Sequence, residues 1–152
     1  MSHGAARADG ACACTSGRTY AACCEPLHRG EPAESPERLM RSRFTAYALG
    51  LTEYIVATTD PDGPAWEGSA TGGIDAWRAS IRRFSQGTRF LGLDVLEAPP
   101  AAGATGTVTF RARLAQGSAD ATFAERSTFV HRGGNWRYRH GERVRPMGTG
   151  PA

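Results

Sequence analysis

The chain has 152 residues and a mass of 16.2 kDa, a size that fits one domain and leaves little room for two. Its content of 40% hydrophobic and 22% charged residues excludes a mostly disordered chain and a fibrous one. A net charge of +3, in a chain whose 18 basic residues are all arginine, is smaller than a dedicated nucleic-acid-binding domain usually carries.

The first ten residues contain no apolar run and therefore do not resemble a secretory signal. No stretch of the chain holds the roughly 18 consecutive apolar residues that a membrane span requires. We therefore expect a cytoplasmic protein without a membrane partner. In that compartment thiols stay reduced and a disulfide framework is not expected to form.

The cysteines are clustered in the first zone of the chain, residues 1–34, as Cys12-x-Cys14 and Cys23-Cys24. Four clustered thiols in a reduced compartment indicate a metal site first and redox chemistry second. Four thiolates form the closed tetrahedral shell of a structural zinc site, so we expect one zinc per chain. Arg18, in the loop between the two pairs, would offset part of their negative charge.

Other interpretations of the cysteines stay open at this point. The thiols would be unpaired, or Cys23 and Cys24 would form a vicinal disulfide, although four exposed thiols are prone to oxidation. His28 would either replace one ligand or be a plain surface histidine. A four-thiolate set also suits other thiophilic metals, such as cuprous copper.

Residues 35–88 carry helical patterns. Ser35 is a capping residue and Pro36 suits the first helical position, so a helix is predicted to begin here. Gly50 is predicted to end or bend it. Between these signals an apolar stripe follows helical spacing, with Met40, Phe44, Tyr47, Ala48 and Leu51.

Two further helices are predicted on either side of a loop. A short helix is expected over 51–58. The loop over 59–73 contains two prolines and four glycines. An amphipathic helix is then predicted from Ile74 to near Gly87, with Trp77 on its apolar face. Trp66 and Trp77 are expected in the core, although a ligand cage is the alternative.

Alternating apolar and polar residues predict antiparallel strands over 107–114, 122–130 and 136–140, with a further strand near 89–96. Turn residues at 116–118 and 133–135 would connect them as hairpins. Helices followed by strands indicate an α+β fold and not βαβ units. We expect three or four antiparallel strands with the helices on one face.

The cysteine segment, Cys12-x-Cys14-x-Ser-Gly-x-x-Tyr-x-x-Cys23-Cys24, resembles the SEC-C motif, a small zinc hairpin also found at the end of the preprotein translocase ATPase. Two later stretches resemble the YchJ family, namely Cys24-Glu-Pro-Leu-His28-x-Gly30 and Leu39-Met-Arg-Ser-Arg-Phe-Thr-Ala-Tyr47. Glu125-x-Ser127-x-Phe129 and Trp136-x-Tyr138 fit the same family. The resemblance covers nearly the whole chain.

This resemblance implies a zinc hairpin with its linker over 1–34 and a cystatin-like, nuclear-transport-factor-two-like α+β cone over 35–148. It implies a fold and a metal but no reaction. The chain departs from the motif at Ala13, commonly Pro, and at Thr15, commonly Gly, neither of which is a ligand. It also has Thr58-Thr-Asp-Pro61 where the family more often has a Trp and a His around the proline.

A cone of this type can hold a small ligand. Glu125 lies on an apolar strand face, and a buried carboxylate needs a partner, for which Arg43 and His140 are candidates. The group is interpreted either as an acid–base or ligand-binding centre or as a structural ion pair, which we favour. The candidate pocket residues are Arg43, Tyr47, Glu125, Ser127, Trp136, Tyr138 and His140.

Strand arginines form a second candidate surface if they share one exposed face: Arg111, Arg113, Arg126, Arg137 and Arg139. Such a face would bind RNA phosphates or an acidic partner, or it would be a plain solvated surface. The leading hypothesis is a non-enzymatic zinc-binding adaptor whose hairpin docks a protein or ribosomal partner. The alternatives are a small-molecule binder or enzyme that uses the cone, and RNA binding through the arginines. No catalytic constellation is recognised.

Overall fold

The computed structural model describes residues 9–145. The outer ends of the two expected domains, at 1–8 and 146–148, and the tail over 149–152 lie outside the described residues. The described part contains helices followed by a sheet, which confirms the predicted α+β class. Its helices are α1 (Glu25–His28), α2 (Pro36–Leu49), α3 (Thr52–Ala57) and α4 (Gly73–Gln86).

Helix α2 begins and ends as its sequence predicts. The Ser35 hydroxyl accepts a hydrogen bond from the Arg38 N–H at 3.2 Å, and Pro36 occupies the first turn. Gly50 has φ +75° and ends the helix in the left-handed conformation that glycine adopts without steric cost. The predictions of α3 and α4 are also confirmed, whereas the short α1 was not predicted.

The strands are β1 (Arg89–Glu97), β2 (Thr105–Gln116), β3 (Ala119–Asp120), β4 (Phe123–Arg132) and β5 (Asn135–Val144). They form one antiparallel sheet in the order β1-β2-β4-β5, and the short β3 pairs with the end of β2. The expected strands are therefore present, longer than predicted. The two-residue β3 is an addition, because the chain after Gly117 pairs briefly before it enters β4.

A bulge in β5 changes which side chains face the helices. Thr128 pairs with His140 but Phe129 pairs with Tyr138, so Arg139 is the extra residue on β5. Tyr138 and Gly141 therefore lie on the inner face of the sheet, beside Phe129 and Ser127, while His140 lies on the outer face. The sequence pattern predicts that side chains of this strand alternate between the two faces of the sheet. The bulge interrupts this alternation, so the prediction fails beyond Arg139.

The main hydrophobic core joins the inner face of the sheet to α2 and to the N-terminal segment. Phe44, Val108, Phe110 and Phe129 are each no more than 3% exposed, and the four cysteines belong to the same cluster. A second cluster lies between α2, α3 and α4: Ala46, Ile55, Val56, Trp77 and Ile81. No helix in residues 9–145 is long and apolar enough to span a bilayer.

The tryptophans expected in the core belong to this second cluster. Trp77 is buried there, and Trp66 packs edge-on against it with the ring centroids 4.9 Å apart. This arrangement agrees with the core interpretation of the pair.

Candidate metal centre

A tight hairpin brings the two cysteine pairs together. The N–H of Cys12 donates to the carbonyl of Arg18 at 2.9 Å, and Ala11 pairs with Thr19 in an isolated antiparallel bridge. Gly17, at φ +90°, turns the chain between the two arms. After the hairpin a turn at Tyr20 leads into α1, which places Cys23 and Cys24 opposite the first pair.

The geometry of the four sulfur atoms fits one tetrahedral metal ion. All four Sγ atoms lie within 4.8 Å of one another, and all four residues are buried. The Cys14 and Cys23 sulfurs are 3.6 Å apart, and those of Cys23 and Cys24 are 3.9 Å apart. A tetrahedron with zinc–sulfur bonds of about 2.3 Å has sulfur–sulfur edges of about 3.8 Å. The structure thus joins the four predicted ligands in a cluster that can hold a metal, with no disulfide among them.

In the absence of a metal, the Cys14 thiol ionises more readily than those of Cys23 and Cys24. Hydrogen bonds from Cys12 and Cys24 lower the pKa of the Cys14 thiol, while hydrogen bonds with Cys12 and Cys14 raise the pKa of the Cys24 thiol. Burial raises the pKa of Cys23. Negative charge therefore collects on Cys14, and a metal ion that ionised the remaining thiols would release protons.

Polar groups around the sulfurs can stabilise their charge. Ser16 Oγ lies 3.2 Å from the Cys23 sulfur, and Thr45 Oγ1 lies 3.5 Å from the Cys12 sulfur. Arg41 Nη1, from α2, lies 3.9 Å from the Cys14 sulfur and donates to the Cys14 carbonyl at 3.2 Å. Arg18, expected to offset the thiolate charge, is exposed instead. The compensating arginine comes from a helix that is distant in the sequence, and no hairpin pattern reveals it.

Further contacts anchor the hairpin to the rest of the fold. Arg38 Nη2 donates to the Cys23 carbonyl at 2.9 Å. On the other arm, Thr15 Oγ1 accepts a hydrogen bond from the Leu93 N–H of β1 at 3.0 Å. The cluster is thus held between α2 and β1, and its four cysteines are shielded from solvent.

His28 is neither a ligand nor a surface histidine. Its Nε2 lies 2.9 Å from the Ser42 carbonyl, which can only accept, so Nε2 carries the proton. Its Nδ1 therefore accepts from the Tyr20 hydroxyl at 2.7 Å. Burial lowers the pKa of His28 and raises that of Tyr20 to about 12, so both groups are neutral at pH 7.

The candidate pocket residues are divided by the structure. A cavity of about 220 Å³ lies between the inner face of the sheet, α2 and α4. Glu125 receives hydrogen bonds from the Ser127 hydroxyl at 2.8 Å and the Tyr138 hydroxyl at 3.0 Å, and Arg143 lies 3.9 Å away. Five of the seven candidates line this cavity: Arg43, Tyr47, Glu125, Ser127 and Tyr138.

The remaining two candidates, Trp136 and His140, lie elsewhere. Trp136 shares the inner face with Tyr138 but lies further along β5, where it borders Pro36 and Val108. The bulge at Arg139 turns His140 to the outer face, where it is exposed. Neither of the partners expected for Glu125 is therefore observed, because Arg43 bonds to neutral oxygens of α3 and the residues after it.

Carboxylates offset most of the strand arginines. Arg111 and Arg113 both pair with Asp94, at 3.2 and 3.0 Å. Arg126 pairs with Glu142 at 3.0 Å, and Arg139 with Asp60 at 2.7 Å. Because these ion pairs reduce the local positive charge, the arrangement does not favour a phosphate-binding face.

Asp60 is a residue whose importance the sequence interpretation missed. Its side chain is fully buried and pairs with Arg132 and Arg139, both at 2.7 Å. Its Oδ1 also accepts from the Asp62 N–H at 3.1 Å, an Asx turn of the kind that Asp-Pro-Asp-Gly favours. That turn motif was the available signal, but it does not indicate the two arginines.

A four-cysteine hairpin docked on a cystatin-like α+β domain defines a class of small SEC-C motif proteins. The family model described as YchJ, middle NTF2-like domain, matches residues 35–141. The chain belongs to the YchJ family.

Solved structures agree with this assignment. A SEC-C motif containing protein from Rhodopseudomonas palustris is 40% identical, with a TM-score of 0.74, over 88% of this chain and 98% of the other. One from Psychrobacter arcticus shares the fold at 24% identity and a TM-score of 0.70, over 92% and 86% of the two chains. An uncharacterised protein with a cystatin-like fold from Caulobacter vibrioides is 20% identical, with a TM-score of 0.52, over 77% and 92%.

Proposed function

We propose that this protein is a non-enzymatic, zinc-binding adaptor of the cytoplasm. The observation that carries the proposal is the closed cluster of four buried sulfurs. An ion bound by four protein ligands has no position left for water or substrate, which is typical of structural and not of catalytic zinc. The metal then maintains a shape, and the function depends on the surface that this shape presents.

Zinc is the metal that this donor set suits best. Four thiolates in a tetrahedral arrangement are a common structural zinc site, and a sulfur-only shell disfavours magnesium and calcium. The four cysteines are free thiols in close contact, which is consistent with a compartment that keeps thiols reduced. When bound, zinc would cross-link the two arms of the hairpin and ionise the thiols.

The outer surface of the hairpin is the part available to a partner. Residues Gly17, Arg18 and Thr19 at its turn are exposed, as are Ala21 and Ala22 before α1. This surface is small and nearly uncharged apart from the guanidinium of Arg18. It suits a protein partner, free or on the ribosome, that offers a carboxylate to Arg18 and an apolar patch to the alanines.

Metal analysis of the native protein tests the zinc assignment. Protein purified without added metal should contain one zinc per chain, measured by inductively coupled plasma mass spectrometry. Four thiols that titrate freely in protein without metal would contradict the proposal. Stoichiometric copper in place of zinc would overturn the choice of metal.

The adaptor role is tested by affinity capture with the full chain. Arg18→Glu reverses the exposed charge at the hairpin turn and leaves the sulfur cluster in place. Arg82→Glu, at an exposed position on α4, is the matched control. Partners retained by the wild type and Arg82→Glu but lost by Arg18→Glu would support docking through the hairpin. Equal recovery by all three proteins would contradict it. Cys-to-Ser variants are less suitable, because the cysteines are also core residues.

A further inference from the structure

The cavity within the cone combines an aromatic wall with a polar cluster. Phe84 packs edge-on against Phe90, with the ring centroids 5.7 Å apart, and Phe44 packs against Phe90 at 5.6 Å. The polar cluster contains the Glu125 carboxylate and the Tyr138 hydroxyl bonded to it. A volume of about 220 Å³ is below the roughly 300–1,000 Å³ of drug-sized sites, so a ligand here must be small.

Arg43 gives this cavity a buried positive charge. The residue is 5% exposed and lines the cavity. Nη1 donates all of the residue's hydrogen bonds, and the acceptors are neutral oxygens: the Ile55 carbonyl at 3.1 Å, the Thr58 hydroxyl at 2.7 Å and the Thr59 hydroxyl at 3.2 Å. In residues 9–145 no carboxylate lies within 4.0 Å of its guanidinium, and its Nε and Nη2 donate to no acceptor.

A buried guanidinium without a counterion is costly, because the charge has lost most of its water and its three hydrogen bonds are to neutral oxygens. The ring of Tyr138 offsets part of this cost, since the guanidinium carbon lies 4.6 Å from the ring centroid. Three N–H groups, one on Nε and two on Nη2, still lack an acceptor among the described residues. The arrangement is therefore suited to receive an anion from outside the chain.

Tyr47 adds a second donor to the same wall. Its hydroxyl makes no hydrogen bond within the described part of the chain, and its ring packs edge-on against Phe84 at 5.4 Å. Burial raises the pKa of Tyr47, so the hydroxyl keeps its proton at pH 7. It is one turn of α2 from Arg43, on the side that faces the cavity.

Glu125 does not supply the missing counterion. Its carboxylate accepts from Ser127 and Tyr138 and lies near Arg143, which is at the outer edge of the site with 69% of its side chain exposed. The lining thus holds two guanidinium groups and one carboxylate, with Arg43 the more buried cation. An anionic ligand is favoured over a cationic one.

We propose that this cavity binds a small organic acid, whose carboxylate pairs with Arg43 and accepts a hydrogen bond from Tyr47. The planar guanidinium offers parallel N–H groups that match the two oxygens of a carboxylate. The apolar body of the acid packs against Phe44, Phe84 and Phe90. This site is independent of the metal centre and of the proposed docking surface of the hairpin.

A ligand series on the wild-type, metal-loaded chain tests the charge preference. Benzoate, benzamide and benzylamine share one ring and differ in the charge of the attached group, and octanoate tests an aliphatic body. Affinities are measured by isothermal titration calorimetry or by ligand-observed NMR. Benzoate or octanoate should bind at least about tenfold more tightly than benzamide, as expected for a charged group bonded to buried donors. Equal affinity of benzoate and benzamide, preference for benzylamine, or no binding of any probe would overturn the proposal.

Matched variants locate the site. Tyr47→Phe removes only the free hydroxyl, and Tyr54→Phe makes the same change in a tyrosine whose hydroxyl contacts Ser42, away from the cavity lining. Carboxylate affinity should fall several-fold in Tyr47→Phe and stay unchanged in Tyr54→Phe. Arg43→Gln should remove the preference for carboxylate over amide. If Arg43→Gln does not fold, the comparison of Tyr47→Phe with Tyr54→Phe tests the proposal on its own. Equal carboxylate affinity in these two variants would contradict it.

Discussion

The hydroxyl of Thr15, at the tip of the first hairpin arm, accepts a hydrogen bond from the backbone N–H of Leu93 in the edge strand β1 at 3.0 Å. Its single hydrogen faces two carbonyls, that of Cys14 at 2.7 Å and that of Leu93 at 3.1 Å. Thr15 also has φ +56°, a strained conformation for a β-branched residue. In this chain the bonds between Thr15 and β1 offset the strain.

Replacing Thr15 by valine is expected to lower the free energy of unfolding by about 1–2 kcal/mol. Valine keeps the size and branching of threonine but removes the acceptor for Leu93. Thr15→Ser keeps the hydroxyl and should stay near the wild-type value. Urea unfolding followed by circular dichroism measures both. Equal stability of the valine and serine variants would show that the bond to β1 does not stabilise the fold.

Removal of the metal that we propose for the cysteine cluster is expected to destabilise the whole described fold and not the hairpin alone. The four cysteines share one core cluster with Phe44 and Phe129, and α2 contacts the cluster through Arg38 and Arg41. Chelation should lower the free energy of unfolding by at least about 3 kcal/mol, since structural metal binding contributes to folding directly.

The check compares two probes of unfolding before and after chelation. Trp136 belongs to the same core cluster as the cysteines, so the fluorescence is measured in a Trp136→Phe background. The remaining Trp66 and Trp77 then report the second hydrophobic cluster, which lies apart from the cysteines. Far-ultraviolet circular dichroism reports the helices and the sheet. Both transitions should shift together to lower denaturant concentration. A tryptophan transition that does not move would mean that the hairpin folds as a separate unit.

Local sequence signals predicted α2, α3, α4 and the four long strands because these signals act within a few residues. Ser35 and Pro36 begin α2, and Gly50 ends it, as capping chemistry requires. Strand alternation likewise identified the main strands of the sheet. The four cysteines were recognisable as a set because their spacing is itself local.

Features that depend on tertiary contacts were not predictable in the same way. The bulge at Arg139 moved His140 to the outer face, and only Gly141, an unusual residue within a strand, hinted at it. A side chain at position 141 would collide with the Glu125 carboxylate. The arginine beside the cysteine cluster is Arg41 and not Arg18, because helix packing and not sequence proximity determines which charged side chain lies there.

Asp60, which lies in the loop after α3 with a fully buried side chain, is expected to contribute strongly to stability. Burial alone would raise the pKa of Asp60, but hydrogen bonds from the Asp62 N–H and Arg139, together with Arg132, lower it below its usual value. Asp60→Asn keeps the shape and removes the charge. It should lower the free energy of unfolding by about 2 kcal/mol, a moderate value because both arginines reach solvent.

Asp62→Asn is the matched control, since Asp62 pairs with Arg132 at 3.1 Å but is largely exposed. That variant should change the unfolding free energy by less than about 0.5 kcal/mol. Chemical denaturation at pH 7 measures both variants. A loss at Asp62 as large as that at Asp60 would show that burial does not determine the contribution.

His28 is expected to make stability fall as the pH decreases below about 6.5, the ordinary histidine value. Burial lowers its folded-state pKa, and the hydrogen bond to the Ser42 carbonyl and the attraction of Glu25 do not compensate for this. The unfolded chain therefore binds a proton that the folded chain resists, so stability is present above the unfolded-state pKa and is lost as the pH falls through it. Tyr20 and Tyr54, the ionisable groups whose rings lie against His28, stay neutral in this range.

The measurement is the free energy of unfolding at pH 7.5 and pH 5.5 for the wild type and His28→Gln. Glutamine offers a donor for the Ser42 carbonyl and an acceptor for the Tyr20 hydroxyl, but it does not titrate. The wild type should lose more stability between the two pH values than the variant does. His140→Gln, at an exposed histidine of the outer sheet face, should behave as the wild type. The same pH dependence in His28→Gln as in the wild type would assign the effect to another group.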